Sequence, residues 1–171
     1  RMSGIATLTH QFVKAIDGTK AKILDTRKTI QGMPALDKYA VCCGGGVNHR
    51  LDLQDGILIK NNHISLGGGL PIVLERALKG RKAGQIVQVE VRSQLELEQA
   101  IAGGAESRRR DNREPAVWKK AGKQSRSSLP NAPIEASGKM KLKTVRDYVL
   151  AGVHFISVGG LTHSAVAVDL S

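Results

Sequence analysis

The order of apolar segments along the chain constrains its fold more than any other feature. Short apolar runs, several of them ending on a polar or glycine residue, predict buried β-strands at residues 22–25, 57–60, 86–91, 133–137 and 154–159. Apolar residues spaced three and four apart predict helices at residues 3–17, 70–79, 94–102 and 141–151. Because strand and helix alternate, we predict an α/β fold built on a parallel sheet.

Local signals refine this prediction. Ser3 is a predicted N-cap for the first helix, and Ser93 with Glu96 has the spacing of a capping box that opens another helix, which Gly103 and Gly104 end. No GxGxxG turn follows the first predicted strand, which favours a barrel over a dinucleotide-binding sheet. In such barrels the chemistry lies at the C-terminal ends of the strands, so functional residues are expected at those positions.

Length and composition limit the class of protein. A chain of 171 residues with 41% hydrophobic residues is expected to form one globular domain. No run approaches the roughly 20 apolar residues that span a bilayer, and we expect a cytoplasmic protein with no membrane partner. Cys42 and Cys43 are adjacent and are expected to be reduced thiols, with no further cysteine to complete a thiolate metal site.

The net charge of +11 raises the question of nucleic acid, because clustered Lys and Arg attract phosphates. Aromatic residues make up only 3% of the chain, so few side chains are available for bases to stack on. A small anionic substrate would use the same positive field. We therefore rank nucleic-acid association, driven by charge alone, below binding of a small anion.

Basic residues follow the predicted strands where turn residues would suffice. Thr26, Arg27 and Lys28 follow the first strand, His49 and Arg50 follow a glycine triplet, and Lys60 ends the next strand. Arg binds carboxylate or phosphate through its planar fork and Lys acts as a point charge. An exposed basic loop is the alternative for the first group alone, but the three groups together suit a planar dianionic acid.

Acidic and glycine residues follow other strands. Glu90 and Asp111 are hard oxygen ligands that suggest Mg²⁺, although either alone is more often a salt-bridge partner. The segments 135–138 and 157–160 place small residues after the last two strands, where barrels commonly bind phosphate through backbone N–H groups. Glycine pairs more often mark turns, so the phosphate site depends on the wider pattern.

The strand-end motifs together match one family. They are ILDTRKT (23–29), NHR (48–50), IKNNH (59–63), VEV (89–91), DN (111–112), EASG (135–138) and ISVGGLTHS (156–164), and SGIAT (3–7) precedes them. In order and spacing they resemble the quinolinate phosphoribosyltransferase family. The resemblance implies an incomplete or open α/β barrel of parallel strands, with residues 1–171 forming the C-terminal catalytic domain and the family's N-terminal domain outside this chain. It also implies a homodimer whose partner subunit supplies an arginine to the active site.

The resemblance also implies a role for each group of residues. The residues that line the quinolinate pocket would be Thr26, Arg27, Lys28, His49, Arg50 and Lys60. Glu90 and Asp111 would hold the ribose and Mg²⁺-pyrophosphate of the second substrate, phosphoribosyl pyrophosphate, which Lys28 would also reach. Its 5′-phosphate would lie against Ser137, Gly138, Lys139, Val158, Gly159 and Gly160. Lys60, Arg50 and Lys28 would be the catalytic residues of a phosphoribosyl transfer coupled to decarboxylation.

Some positions depart from the family pattern. Arg108, Arg109 and Arg110 stand where the family has an apolar strand, so we expect that strand to fray or to shift in register. The helix expected next is interrupted by Arg113, Trp118, Gly122 and Ser125. Asn61, Arg92 and Gly160 are smaller departures. These changes leave a second hypothesis open, that the chain is an anion-binding or dimerisation module without turnover.

Overall fold

Parallel strands form a single sheet in the computed structural model of the chain. The structure describes residues 1–51, 54–111, 133–167 and 169, and at residues 108–111 it describes the backbone only. The strands are β1 (Lys22–Leu24), β2 (Gly56–Ile59), β3 (Ile86–Val91), β4 (Ser107–Asp111), β5 (Ile134–Ser137) and β6 (Phe155–Ser157). Their order in the sheet is β1-β6-β5-β4-β3-β2, and every neighbouring pair is parallel. Because β1 and β2 are the two edges and do not pair, the predicted open α/β barrel is confirmed.

Helices connect the strands. They are α1 (Met2–Ala15), α2 (Pro34–Cys43), α3 (Asn61–Leu66), α4 (Leu70–Gly80), α5 (Gln94–Ala102), α6 (Val145–Leu150) and α7 (Gly160–His163). The prediction of Ser3 as an N-cap is wrong, because α1 begins at Met2 and the N-cap position is occupied by Arg1, whose side chain makes no capping hydrogen bond to the helix. At α5, the Ser93 hydroxyl accepts a hydrogen bond from the Glu96 N–H at 3.0 Å, as predicted. The helix predicted at 141–151 is shorter, since only α6 within it is α-helical.

The backbone of β4 pairs regularly despite its three arginines. Arg109 lies opposite Glu90 of β3 on one side and opposite Glu135 of β5 on the other. The expectation that this strand frays or shifts is therefore wrong, because ladder hydrogen bonds to two neighbours fix the main chain whatever side chains it carries. The interrupted helix expected at 113–125 lies outside the described residues.

Two apolar clusters cover the sheet. One joins α1 to β1 and β6, with Ile5, Phe12, Ile23 and Ile156 all nearly inaccessible to solvent. Phe12 and Ile5 come from the apolar face of α1 that the spacing predicts. The second cluster packs α4 and α5 on β2 and β3, and its members are Ile59, Leu70, Leu74, Val87, Val89, Val91, Leu97, Ala100 and Ala105. The helices thus lie against the sheet, and the strand ends remain open for a site.

Two expectations from composition concern smaller features. Cys42 and Cys43 are both exposed and form no disulfide, as predicted. No helix in the described parts of the chain combines the length and the apolar character that crossing a membrane requires.

Candidate functional site

A cavity of about 580 Å³ lies at the C-terminal ends of the strands. The residues predicted from sequence that line it are Thr26, Arg27, Lys28, His49, Arg50, Lys60, Glu90, Gly138, Lys139, Gly159 and Gly160. Leu58, Met140, Ser157 and His163 complete the lining. The structure therefore brings together basic groups that follow different strands, at the end of the sheet where α/β barrels place their chemistry.

Two predicted site residues do not line the cavity, and the predicted role of a third, Asp111, stays a prediction. Ser137 and Val158 are buried, with 1% and 2% of their surface exposed, and do not line the cavity. The Val158 N–H already donates to the Leu24 carbonyl at 2.9 Å, so it is not available to a phosphate. Asp111 ends β4 opposite Ser137, and its side chain lies outside the described part of the structure.

A buried ion pair fixes the loop that carries His49 and Arg50. Asp25, at the end of β1, is fully buried, and its Oδ1 accepts from Lys38 Nζ and from the His49 N–H, each at 2.7 Å. Lys38 Nζ also donates to the His49 carbonyl at 2.9 Å. The Asn48 amide, oriented to satisfy its partners, donates to Asp25 Oδ2 at 2.6 Å. Burial raises the pKa of Asp25, and the hydrogen bond from Lys38 opposes that rise.

A second carboxylate fixes the loop that carries Arg27 and Lys28. Asp37, in the first turn of α2, accepts from the Ile30 N–H at 2.9 Å, and its Oδ2 lies 2.6 Å from Arg1 Nη2. The same Arg1 nitrogen donates to the Thr162 carbonyl at 2.8 Å. The Thr162 hydroxyl donates to the Lys28 carbonyl at 2.7 Å. The basic loop is thus held from α2 and from α7, which limits the positions its side chains can adopt.

The ionisation of Asp37 should link stability to pH. Burial would raise the pKa of Asp37, but the Arg1 hydrogen bond, the Ile30 N–H and the Arg1 charge outweigh it and hold the pKa below its usual value. A carboxylate whose pKa is lowered on folding stabilises the protein above its unfolded pKa, and this contribution is lost as pH falls through the folded pKa. We expect Asp37→Asn to lower the free energy of unfolding at about pH 6 and to have a much smaller effect below about pH 3.

Urea unfolding of both proteins at the two pH values measures that difference. Glu75→Gln is the matched control, because the Lys79 hydrogen bond also lowers the pKa of Glu75 but this pair is exposed on α4. The control should change stability little at either pH. An Asp37→Asn effect of equal size at both pH values would contradict the proposed linkage.

The remaining basic residues are positioned by their own local contacts. Arg50 Nη1 donates to the Gly56 carbonyl at 2.6 Å, which anchors one edge of its guanidinium at the start of β2. Lys60 precedes α3, and its N–H donates to His63 Nδ1 at 3.0 Å. The contacts of Arg50 and Lys60 therefore lie at opposite ends of β2.

Backbone conformation shapes the side of the cavity formed by the last two strand ends. Gly138 and Lys139 both have positive φ, 85° and 45°, a conformation that Gly adopts freely and Lys rarely does. A Cβ added at Gly159 would lie 3.2 Å from the His163 ring, whereas one at Gly160 would meet nothing within 4 Å. A side chain would thus fit tightly at position 159, whereas there is room for one at position 160.

Sequence reasoning missed the buried polar residues behind the cavity. Asp25 lies within a predicted apolar strand, and a charged residue in such a strand is the signal that could have identified it. Lys38 belongs to α2, whose weak amphipathic pattern gave no helix prediction, although Pro34 at its start is a recognised N-terminal signal. Glu135 lies in a strand whose four residues are all buried, but only tertiary structure shows what it contacts.

Comparison with known proteins agrees with the motif resemblance. The family described as quinolinate phosphoribosyl transferase, C-terminal domain, matches residues 5–171. The chain is 43% identical to the probable nicotinate-nucleotide pyrophosphorylase [carboxylating] of Bacillus subtilis, covering 100% of this chain and 58% of that protein. It is also 43% identical to the Mycobacterium leprae enzyme of that name, covering 99% and 59%.

A solved structure gives the same result. The nicotinate-nucleotide pyrophosphorylase from Francisella tularensis superposes with a TM-score of 0.91 at 42% identity, covering 99% of this chain and 59% of that one. The chain therefore spans less than two thirds of the length of these relatives, and the shared part is their C-terminal domain.

Proposed function

The chain belongs to the family of the quinolinate phosphoribosyl transferase C-terminal domain, and on that basis we propose that it carries the active site of such an enzyme. The proposed reaction joins the ring nitrogen of quinolinate to C1 of phosphoribosyl pyrophosphate and expels pyrophosphate. The 2-carboxylate then leaves as CO₂, and a proton takes its place on the ring. The product is nicotinate mononucleotide, a precursor of NAD.

The convergence of cations in one cavity carries this proposal. Arg27, Lys28, Arg50, Lys60 and Lys139 all line it, and Glu90 is the one acidic side chain among its described lining residues. A cavity with this excess of positive charge suits two polyanionic substrates better than it suits a neutral ligand. The planar forks of Arg27 and Arg50 match the carboxylates of a pyridine dicarboxylate.

The chemistry of the transfer requires positioning and charge compensation more than proton transfer. The developing positive charge at C1 and the departing pyrophosphate are both stabilised by fixed groups that need no reorganisation. Loss of CO₂ leaves an electron pair on the pyridinium ring, which a nearby cation stabilises. Lys60 and Arg50 are our first candidates for that role, and Lys28 would reach the sugar donor as well as quinolinate.

The glycine-rich side of the cavity is the proposed site of the 5′-phosphate. Gly138, Lys139, Gly159 and Gly160 line it, with Ser137 and Val158 buried behind them. Lys139 adds a charge, and the glycines allow close approach of the backbone. Gly159 fits this assignment, because an added Cβ there would come within 3.2 Å of the His163 ring.

Mg²⁺ is the proposed cofactor, and the described residues fit a limited role for it. No group of three or more potential ligand side chains occurs among them, so a cage built from protein alone is not formed there. Mg²⁺ is commonly held by one or two carboxylates together with substrate phosphates. Glu90 would be one such ligand, with Asp111 as the second candidate, and the ion would neutralise the pyrophosphate.

Glu90→Gln should separate the two substrates. The isosteric amide keeps the size of the side chain but removes the charge that would face Mg²⁺ and the ribose. We expect quinolinate to bind with unchanged affinity, while the apparent affinity for Mg²⁺-phosphoribosyl pyrophosphate falls at least tenfold, the loss of a charge-assisted contact. Calorimetry with each ligand measures this. Equal loss for both ligands would mean that Glu90 is structural.

A product assay tests the proposed activity. The protein is incubated with quinolinate, phosphoribosyl pyrophosphate and Mg²⁺, and nicotinate mononucleotide and CO₂ are quantified. We propose a cytoplasmic homodimer as the active form, as the sequence resemblance implies. Formation of both products in equal amounts supports the proposed reaction, whereas quinolinate binding without any product would favour the alternative of an anion-binding module.

A further inference from the structure

We infer that Glu135 is a positioning residue that accepts a hydrogen bond from the protonated Nε2 of His49, holds the imidazole in one orientation, and so fixes the wall of the cavity next to Arg50. The effect on substrate rests on the proposed function, whereas the state of the ring does not. The His49 ring thereby becomes a fixed group beside the cations of the cavity.

Glu135 is a buried carboxylate of β5 that accepts hydrogen bonds from side chains of β3 and β6. It is 3% exposed, and its Oε1 accepts from the Ser157 hydroxyl of β6 at 2.5 Å. Its Oε2 accepts from Gln88 Nε2 of β3 at 2.7 Å and lies 3.3 Å from His49 Nε2. The Gln88 amide is itself directed by Ser107, whose hydroxyl oxygen lies 3.3 Å from it. Side chains on both sides of β5 therefore fix the position of the carboxylate.

The other ring nitrogen identifies the protonation state of His49. Its Nδ1 accepts a hydrogen bond from the Arg50 backbone N–H at 2.8 Å. A nitrogen that accepts this bond carries a lone pair, so the proton of the neutral ring is on Nε2, where it faces Glu135. A cationic imidazole would instead direct a second proton at the Arg50 N–H.

The backbone of His49 is fixed as firmly as its ring. Its N–H donates to Asp25 and its carbonyl accepts from Lys38, both of which are buried. Since both ring nitrogens also have protein partners, the ring of His49 is held in place and orients the start of Arg50. A carboxylate that orients a histidine through its second nitrogen is a common way of fixing a site.

Replacing Glu135 with glutamine should release this arrangement. The amide offers one oxygen where the carboxylate accepts from Ser157, Gln88 and His49, so at least one donor would face an NH₂ group. We expect the His49 ring to lose its single orientation, and quinolinate affinity to fall about tenfold, the size of one charge-assisted hydrogen bond. Far-ultraviolet circular dichroism and thermal unfolding check that each variant is folded.

The ring state of His49 is measured directly by ¹⁵N NMR of the imidazole nitrogens in the unmodified protein at about pH 7, with the resonances assigned by their absence in His49→Gln. We expect the pattern of a neutral ring protonated on Nε2. A ring protonated on Nδ1, or an imidazolium, would overturn the inference, whether or not Glu135→Gln folds. This result does not depend on quinolinate binding.

A double-mutant cycle tests whether Glu135 acts through His49. If it does, Glu135→Gln weakens quinolinate binding about tenfold in the native background and changes it little in a His49→Gln background. An equal loss in both backgrounds would show a general structural effect and overturn the positioning role. If the unmodified protein fails to bind quinolinate, the proposed function fails, and the NMR result alone decides the state of His49.

Discussion

Lys38→Met is expected to lower the free energy of unfolding by about 3–5 kcal/mol, the cost of removing one partner from a buried ion pair. Lys38 is 4% exposed and Asp25 is fully buried, with 2.7 Å between Nζ and Oδ1. Methionine fills a similar volume but leaves the carboxylate without its cation. The backbone of His49 would also lose the donor to its carbonyl.

Urea unfolding of the matched variants measures this effect. Asp25→Asn combined with Lys38→Met removes both charges and should recover a large part of the lost stability, because the uncompensated charge is the main cost. Lys79→Met is the surface control, since Lys79 and Glu75 pair at the same 2.7 Å distance but are exposed. If Lys38→Met were no more destabilising than Lys79→Met, the buried pair would not be what fixes this part of the fold.

Arg50→Ala is expected to weaken quinolinate binding by about 2–3 kcal/mol, or roughly 30- to 150-fold, because it removes a charge-assisted contact. Arg50 lines the cavity, and its guanidinium is anchored by the Gly56 carbonyl. This anchor pre-positions the fork, so little conformational entropy is lost when a carboxylate binds. Calorimetric titration with quinolinate measures the change.

Arg50→Lys keeps the charge and is the matched variant for that titration. It should bind with intermediate affinity, because an ammonium cannot make the paired hydrogen bonds of a planar fork. Thermal unfolding would separate a binding defect from loss of the contact with Gly56. Unchanged affinity in a folded Arg50→Ala protein would remove Arg50 from the quinolinate pocket.

The sequence predicted the parallel sheet because every described strand except β4 is a short apolar run and several of the connecting helices carry a clear apolar face. It missed α2, α3 and α7, which are short or only weakly amphipathic. Tertiary contacts such as that of Asp37 with Arg1 help to position α2. It also misjudged β4, because side-chain character suggested disruption where pairing with β3 and β5 keeps the backbone regular. Tertiary pairing outweighed local composition there.

The cavity-lining cations were predictable because parallel strands bring their C-terminal ends to one edge, so residues that follow different strands become neighbours. The groups that fix them were not predictable from spacing. Asp25 and Lys38 are 13 residues apart, and Gln88 and Glu135 are 47 residues apart. Only the fold brings those pairs into contact. The residues that contact a ligand were therefore easier to predict than the buried residues that position them.

The central claim, that this cavity recognises a pyridine 2,3-dicarboxylate, is tested most directly by calorimetric titration of the protein with quinolinate and, in parallel, with nicotinate. Nicotinate has the same ring but lacks the 2-carboxylate. We expect saturable one-site binding of quinolinate that is weakened by added salt and by Arg50→Ala, and much weaker binding of nicotinate. Absence of quinolinate binding in a folded sample, or equal affinity for the two acids, would contradict it.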